Sequence, residues 1–146
     1  MPRRCEHYGE LRVFGEFDPD AVTEQLGVPP SWIERAEERT PTGRLREVRS
    51  RWVWRTPTRT GPFAEDVALE VLDQFESSSE ALKRLVEPEL SGATLSIVVR
   101  MVVPPDHPHD DMGHTPMLSF SSNTLARKAA LHVTLLILPF IYLVSD

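Results

Sequence analysis

Three imidazoles and two carboxylates fall within eight residues of one another in His107-Pro108-His109-Asp110-Asp111-Met112-Gly113-His114. Nitrogen and oxygen donors of this kind hold zinc, nickel or copper. They make His107, His109, Asp110 and His114 the candidate metal ligands, with Asp111 as an alternative carboxylate and His7 as a distant further donor. Structural zinc sites usually draw ligand pairs from two parts of a fold, and Pro108 stiffens the spacing of the first two histidines. A solvated turn is the plainer reading of such a mixture of Pro, His, Asp and Gly.

A second cluster is cationic: eight arginines lie between Arg35 and Arg59. If Val48 to Thr56 is a strand, Arg49, Arg51 and Arg55 share one face with Val53, and Trp52 and Trp54 share the other. Alternate arginines of this kind can line a nucleic-acid backbone or another anion, with tryptophans stacking on bases, which makes Arg49, Arg51 and Arg55 the candidate partner-binding residues. Against a polyanion stand Glu34, Glu37, Glu38 and Glu47 in the same segment and a formal charge of -6, from 16 Lys plus Arg and 22 Asp plus Glu. The tryptophans fall on the face away from the arginines. A wet charged face backed by a buried aromatic one accounts for the same pattern.

The remaining reactive types are poorly placed for catalysis. Glu37 with Glu38, Glu65 with Asp66 and Asp110 with Asp111 are sequence neighbours, which do not converge on one substrate atom in a helix or strand. Ser77 to Ser79 and Ser121 to Ser122 stand where helix caps are needed, with no G-x-S-x-G setting. Cys5 has Arg3, Arg4 and His7 nearby to lower a thiol pKa but no fixed partner; as the one cysteine it forms no internal disulfide, which points to a reducing, cytoplasmic setting. The seven glycines are scattered, so no phosphate-cradling loop forms.

The chain that must position these groups has 146 residues, 40% of them hydrophobic, enough for one core. We read residues 1–146 as a single domain, with 1–7 a flexible lead-in and 104–116 a long loop. Tyr8 to Phe14 reads as a strand. Asp18, Pro19, Asp20 and Gly27 then spell out a two-turn helix: cap, first position, acidic first turn, exit. Ser31 with Glu34 is a capping box for a short helical turn. Phe63 to Val86 carries the helical period as two helices or one kinked helix. Ala93 to Val103 alternates as a central strand, with Leu95, Ile97, Val99, Met101 and Val103 on one face and Thr94, Ser96, Val98, Arg100 and Val102 on the other. Met117 to Phe120 reads as a short strand, followed by a helix capped at Ser121 or Ser122. The apolar run from Ala129 to Val144 is 16 residues, short of the roughly 20 a bilayer span needs, so it is expected as a buried terminal strand. The basic start MPRR lacks the apolar stretch of a secretory signal.

These elements predict an α+β fold: a ferredoxin-like, pseudo-duplicated sandwich with a mostly antiparallel sheet covered by helices. The succession DPDAVTEQLGVPP, Trp32, Gly43, RWVWRT, EALKRLVE, TLSIVVRMV and SFSSNTLARKAA resembles the bacterial domain-of-unknown-function family 4279, over roughly Gly9 to Tyr142. The shared motifs are structural, so the resemblance implies a fold and carries no catalytic residue. That family's last strand alternates with acidic residues, and LHVTLLILPFIY departs from it.

The function expected is that of a small non-enzymatic interaction protein, of immunity or inhibitor type, whose acidity steers it to a basic protein partner. Neither a cofactor nor a membrane is expected, and nucleic acid is not the expected partner; a homodimer would follow if the apolar C-terminal strand were an open edge. Two alternatives stand beside this reading: a metal-binding protein or metalloenzyme built on the 107–114 loop, and nucleic-acid or anion binding through the arginines between Arg49 and Arg59.

Overall fold

The computed structural model describes residues 4–35, 49–61, 63–103 and 119–143. Among them lie strands β1 (Arg4–Gly15), β2 (Trp32–Glu34), β3 (Ser50–Arg55), β4 (Arg59–Thr60), β5 (Gly92–Val103) and β6 (Thr134–Leu143), and helices α1 (Pro19–Leu26), α2 (Glu65–Phe75), α3 (Ser79–Val86) and α4 (Ser122–Ala130). One sheet runs β2-β3-β1-β5-β6, with β4 also paired to β1. Strands β5 and β6 are parallel and the other pairings antiparallel. The fold is α+β.

Alternation divides the sheet into two chemically different faces. Leu11 and Val13 of β1, Trp52 of β3, and Leu95, Ile97 and Val99 of β5 form one buried cluster with Val22 and Leu26 of α1, Val67, Val71, Leu72 and Phe75 of α2, and Leu82 of α3. Phe75 is the centre of the aromatic packing, edge-on to Trp54 at 5.2 Å and to Trp52 at 6.1 Å. The Trp52 indole donates to Thr23 Oγ1 at 3.0 Å, tying α1 to β3.

Local chemistry sets the helix ends. Asp18 accepts from the Asp20 amide at 3.0 Å, Pro19 opens α1, and Gly27 closes it at φ 72, a left-handed conformation that glycine adopts without strain. Ser121 caps α4 by accepting from the Thr124 amide. Ser78 stands at the start of α3 without a side-chain cap bond; a single 3-10 turn, Glu76–Ser78, joins α2 to α3 instead. Arg127 of α4 bridges to Asp73 and Glu76, holding α4 against α2.

Several expectations are corrected. β1 begins at Arg4, inside the stretch read as a flexible lead-in, because Glu6 and His7 pair with Thr60 and Arg59 on one side and with Arg100 and Val99 on the other. Trp32–Glu34 is a strand and no helical turn: it pairs with Arg51–Val53, and the Ser31 hydroxyl accepts from the Arg55 amide at 2.8 Å. The ferredoxin-like duplication is not what this strand order displays. The central pair β1 and β5 is antiparallel, and the parallel pair sits at the end of the sheet, joined through α4. Ser119 and Phe120 are not in a strand; the rest of that predicted strand lies outside the described residues, as does the 104–116 loop. Among the described residues, no helix is long and apolar enough to cross a membrane.

Helix α2 lies close against β1 at Gly9. A Cβ there would lie 2.9 Å from the Val67 carbonyl oxygen and 3.0 Å from Val71 Cγ2. Gly9→Ala must therefore push α2 off β1, and is expected to lower the free energy of urea unfolding by about 1–3 kcal/mol. An unchanged unfolding midpoint would show that α2 does not pack this closely.

Candidate functional site

The face of the sheet away from the helices is charged. At its centre is Glu10 of β1, fully buried, with Arg55 directly across on β3 and Ser96 across on β5. Glu10 Oε1 accepts from Arg55 Nε at 2.6 Å and Oε2 from Arg12 Nε at 2.5 Å. A buried carboxylate costs several kcal/mol in desolvation, and charge-assisted bonds of about 1.5–3 kcal/mol each offset it. Arg55 is held in turn: it lies 4.4 Å over the Tyr8 ring, which Arg100 also approaches at 5.6 Å. Arg100 pairs with Glu6 at 3.2 Å. Val53 and Val98 are buried on this face without belonging to the helix-side core.

At one end of the face these residues open into a cleft of about 300 Å³, lined by Arg12, Val13, Phe14, Arg49, Arg51, Val53, Thr94 and Leu136. Its position follows from register: Arg12 faces Val53 and Thr94, and Phe14 faces Arg51. Arg49 sits 5.8 Å over the Phe14 ring. Among the described residues the lining holds three guanidinium groups over an apolar floor and no carboxylate. Arg51 also reaches Glu34 at 3.7 Å, an exposed pair of little energetic weight. Guanidinium groups so placed bind planar anions through paired donors, and an apolar floor strengthens the attraction by keeping water away.

The structure thus brings together Arg49 and Arg51 in one cleft and puts Arg55 beside it, bonded to Glu10. Arg12, Phe14 and Glu10 were not singled out from sequence. An acidic residue on the outward positions of a strand that otherwise reads Tyr8, Arg12, Phe14 was the available signal, but its partner is 45 residues away. The proposed ligands His107, His109, Asp110 and His114 lie outside the described residues, and among the described residues no group of three or more His, Cys, Asp or Glu side chains is arranged to hold a metal. His7 lies on the opposite, helix-side face, buried beside Asp66 and Glu70 of α2. Burial, followed by the charge of Glu6, pushes the Cys5 thiol pKa up, the reverse of what activation would need.

Two predictions follow from these environments. Arg55→Met strips the buried carboxylate of half its partners and is expected to cost about 1–3 kcal/mol, whereas Arg51→Met should cost less than about 1 kcal/mol in the same urea titration. Equal losses would mean that Glu10 does not depend on Arg55. For His7, burial lowers the imidazole pKa, opposed by the charges of Asp66 and Glu70; Arg59 on β4 also faces this group. The unfolded chain then binds the proton more readily than the folded one, so this contribution to stability is present above the ordinary imidazole value of about 6.5 and is lost as pH falls below it. His7→Gln should flatten the fall in unfolding midpoint between about pH 7 and pH 5; an unaltered slope would place the imidazole in water.

The family described as "Domain of unknown function (DUF4279)" matches residues 5–139. No curated protein and no solved structure matches the chain. With nearly the whole chain covered, from the start of β1 into β6, the chain belongs to the DUF4279 family.

Proposed function

We propose that this chain is a non-enzymatic interaction protein, of immunity or inhibitor type, that holds a carboxylate of a protein partner in the arginine-lined cleft of its open sheet face. The observation that carries the reading is the convergence of Arg12, Arg49 and Arg51 on one cleft whose described lining has no acidic residue. Phe14, Val53 and Leu136 add an apolar floor that keeps water from the guanidinium groups. A net charge of -6 still favours a partner that is basic overall, with long-range attraction bringing it in and one acidic side chain or chain end seating in the cleft. The free Cys5 accords with a reducing, cytoplasmic setting for this encounter.

Nucleic-acid binding through the same arginines has less support. Trp52 is fully buried and Trp54 packs edge-on against Phe75, so neither offers a base-stacking surface. The cleft has the volume of one anionic group with its stem, and a strand requires a track.

The test is fluorescence anisotropy of a labelled Glu-containing heptapeptide against the full chain, with the Gln counterpart as control. The Glu peptide is expected to bind about tenfold more tightly, and Arg49→Met to remove most of the difference. Equal affinity of the two peptides contradicts the reading. Retention of a duplex oligonucleotide with a steep salt dependence, in the absence of peptide binding, would replace it with the nucleic-acid alternative.

A further inference from the structure

The arginine cleft is polarised across the sheet. Its guanidinium groups come from one side, Arg49 and Arg51 at β3 and Arg12 on the adjoining β1, while the β6 side contributes Leu136. Phe14 lies between them: a Cβ at Gly92 would stand 2.6 Å from Phe14 Cζ, so the ring rests on the bare backbone of β5. The apolar floor therefore runs from β1 toward β6. No Asp, Glu, Lys, Arg or His occurs from Thr134 to Leu143, and Leu136 is 41% exposed. This end of the cleft has nothing to offer an anion and open surface to offer an apolar group.

The register fixes the spacings between the two ends. Thr94 of β5 stands directly across from Arg12, and because it also faces Thr134 it is two residues out of step with Leu136. With strands about 4.8 Å apart and a rise of about 3.3 Å per residue, Thr94 is about 5 Å from Arg12 and about 8 Å from Leu136, backbone to backbone. A half-buried hydroxyl thus stands between a cationic corner and an apolar one.

We infer that the cleft takes the end of a protein chain whose last residue is apolar, with the guanidinium groups on the terminal carboxylate, the Thr94 hydroxyl accepting from the terminal amide N–H, and Leu136 with Phe14 covering the last side chain. This rests on the anion-binding reading of the same cleft and narrows it. In a terminal residue the carboxylate, the N–H and the side chain all leave one Cα, which suits three kinds of group lining one cleft. A Glu side chain carries its carboxylate on a bare stem, and in an extended peptide the neighbouring side chains leave on the opposite face. It engages the arginines and leaves Leu136 uncovered. A fatty acid covers Leu136 but brings no N–H to Thr94.

The test is fluorescence anisotropy of labelled Gly/Ser heptapeptides against the full chain, ending in a free Leu, an amidated Leu or a free Gly. A fourth peptide has an amidated end and one internal Glu. The free-Leu peptide is expected to bind about tenfold more tightly than each of the others. Leu136→Ser should bring the free-Leu and free-Gly peptides level, and Thr94→Val, which keeps the side chain's shape, should weaken the free-Leu peptide about threefold. If the free-Leu peptide binds no better than the free-Gly or internal-Glu peptide, while free Leu still exceeds its amide, the chain-end inference falls and the anion reading stands. Indifference to the carboxylate in every peptide removes both. Free-Leu binding that neither variant alters, or octanoate that displaces this peptide more effectively than acetyl-leucine does, would also overturn the inference, the latter in favour of a fatty acid.

Discussion

A strand sends successive side chains to opposite sides, and here that rule assigns aromatic and aliphatic groups to one side and ions to the other. In β3, Trp52 and Trp54 turn toward α1 and α2 while Arg51 and Arg55 turn away. In β1, Leu11 and Val13 join the core while Glu10 and Arg12 meet on the far side. A slip of one residue in the β1 to β3 register would bury guanidinium groups under the helices and expose the tryptophans. The fold and the candidate sites both depend on that register.

Glu10 stabilises it from the charged side. The carboxylate is fully buried opposite Arg55, and it accepts from arginines on its own strand and the next. One consequence reaches the cleft: Arg12 is held at its mouth by the same carboxylate, while Arg49 and Arg51 enter from the β3 side. Among the described residues, five arginines on this face, Arg12, Arg49, Arg51, Arg55 and Arg100, meet three glutamates, Glu6, Glu10 and Glu34. A locally positive face on a chain of net charge -6 distinguishes the group that the surface holds from the partner that the whole molecule attracts.

Much of this was legible in the residues, because it rested on local rules. Asp18, Pro19 and Gly27 delimit α1 as read, β5 alternates as read, and the separation of Trp52 and Trp54 from Arg51 and Arg55 stands. What escaped depended on pairing at a distance. Ser31 and Glu34 satisfy the spacing of a capping box, yet the backbone of Trp32–Glu34 gains more by pairing with β3, and Ser31 bonds Arg55 instead. The two-residue β4 has no periodicity to read and exists because the extended end of β1 offers it a partner. The cleft was half legible: Arg49 and Arg51 came from strand alternation, while Arg12 and Phe14 join them only through the β1 to β3 register. The burial of His7 was hidden for the same reason, since His7 meets Asp66 and Glu70 only when α2 crosses β1.

The claim beneath all of this is that β3 turns its indoles inward. The chain has three tryptophans, Trp32, Trp52 and Trp54, and Trp32 is 37% exposed on β2 whereas Trp52 is fully buried. Acrylamide quenching of two single-tryptophan variants, one keeping Trp52 and one keeping Trp32 with phenylalanine at the other two positions, compares the faces directly. The account predicts blue-shifted, weakly quenched emission from Trp52 and several-fold stronger quenching of Trp32. Trp52 emission that is red-shifted and quenched as readily as that of Trp32 would contradict it.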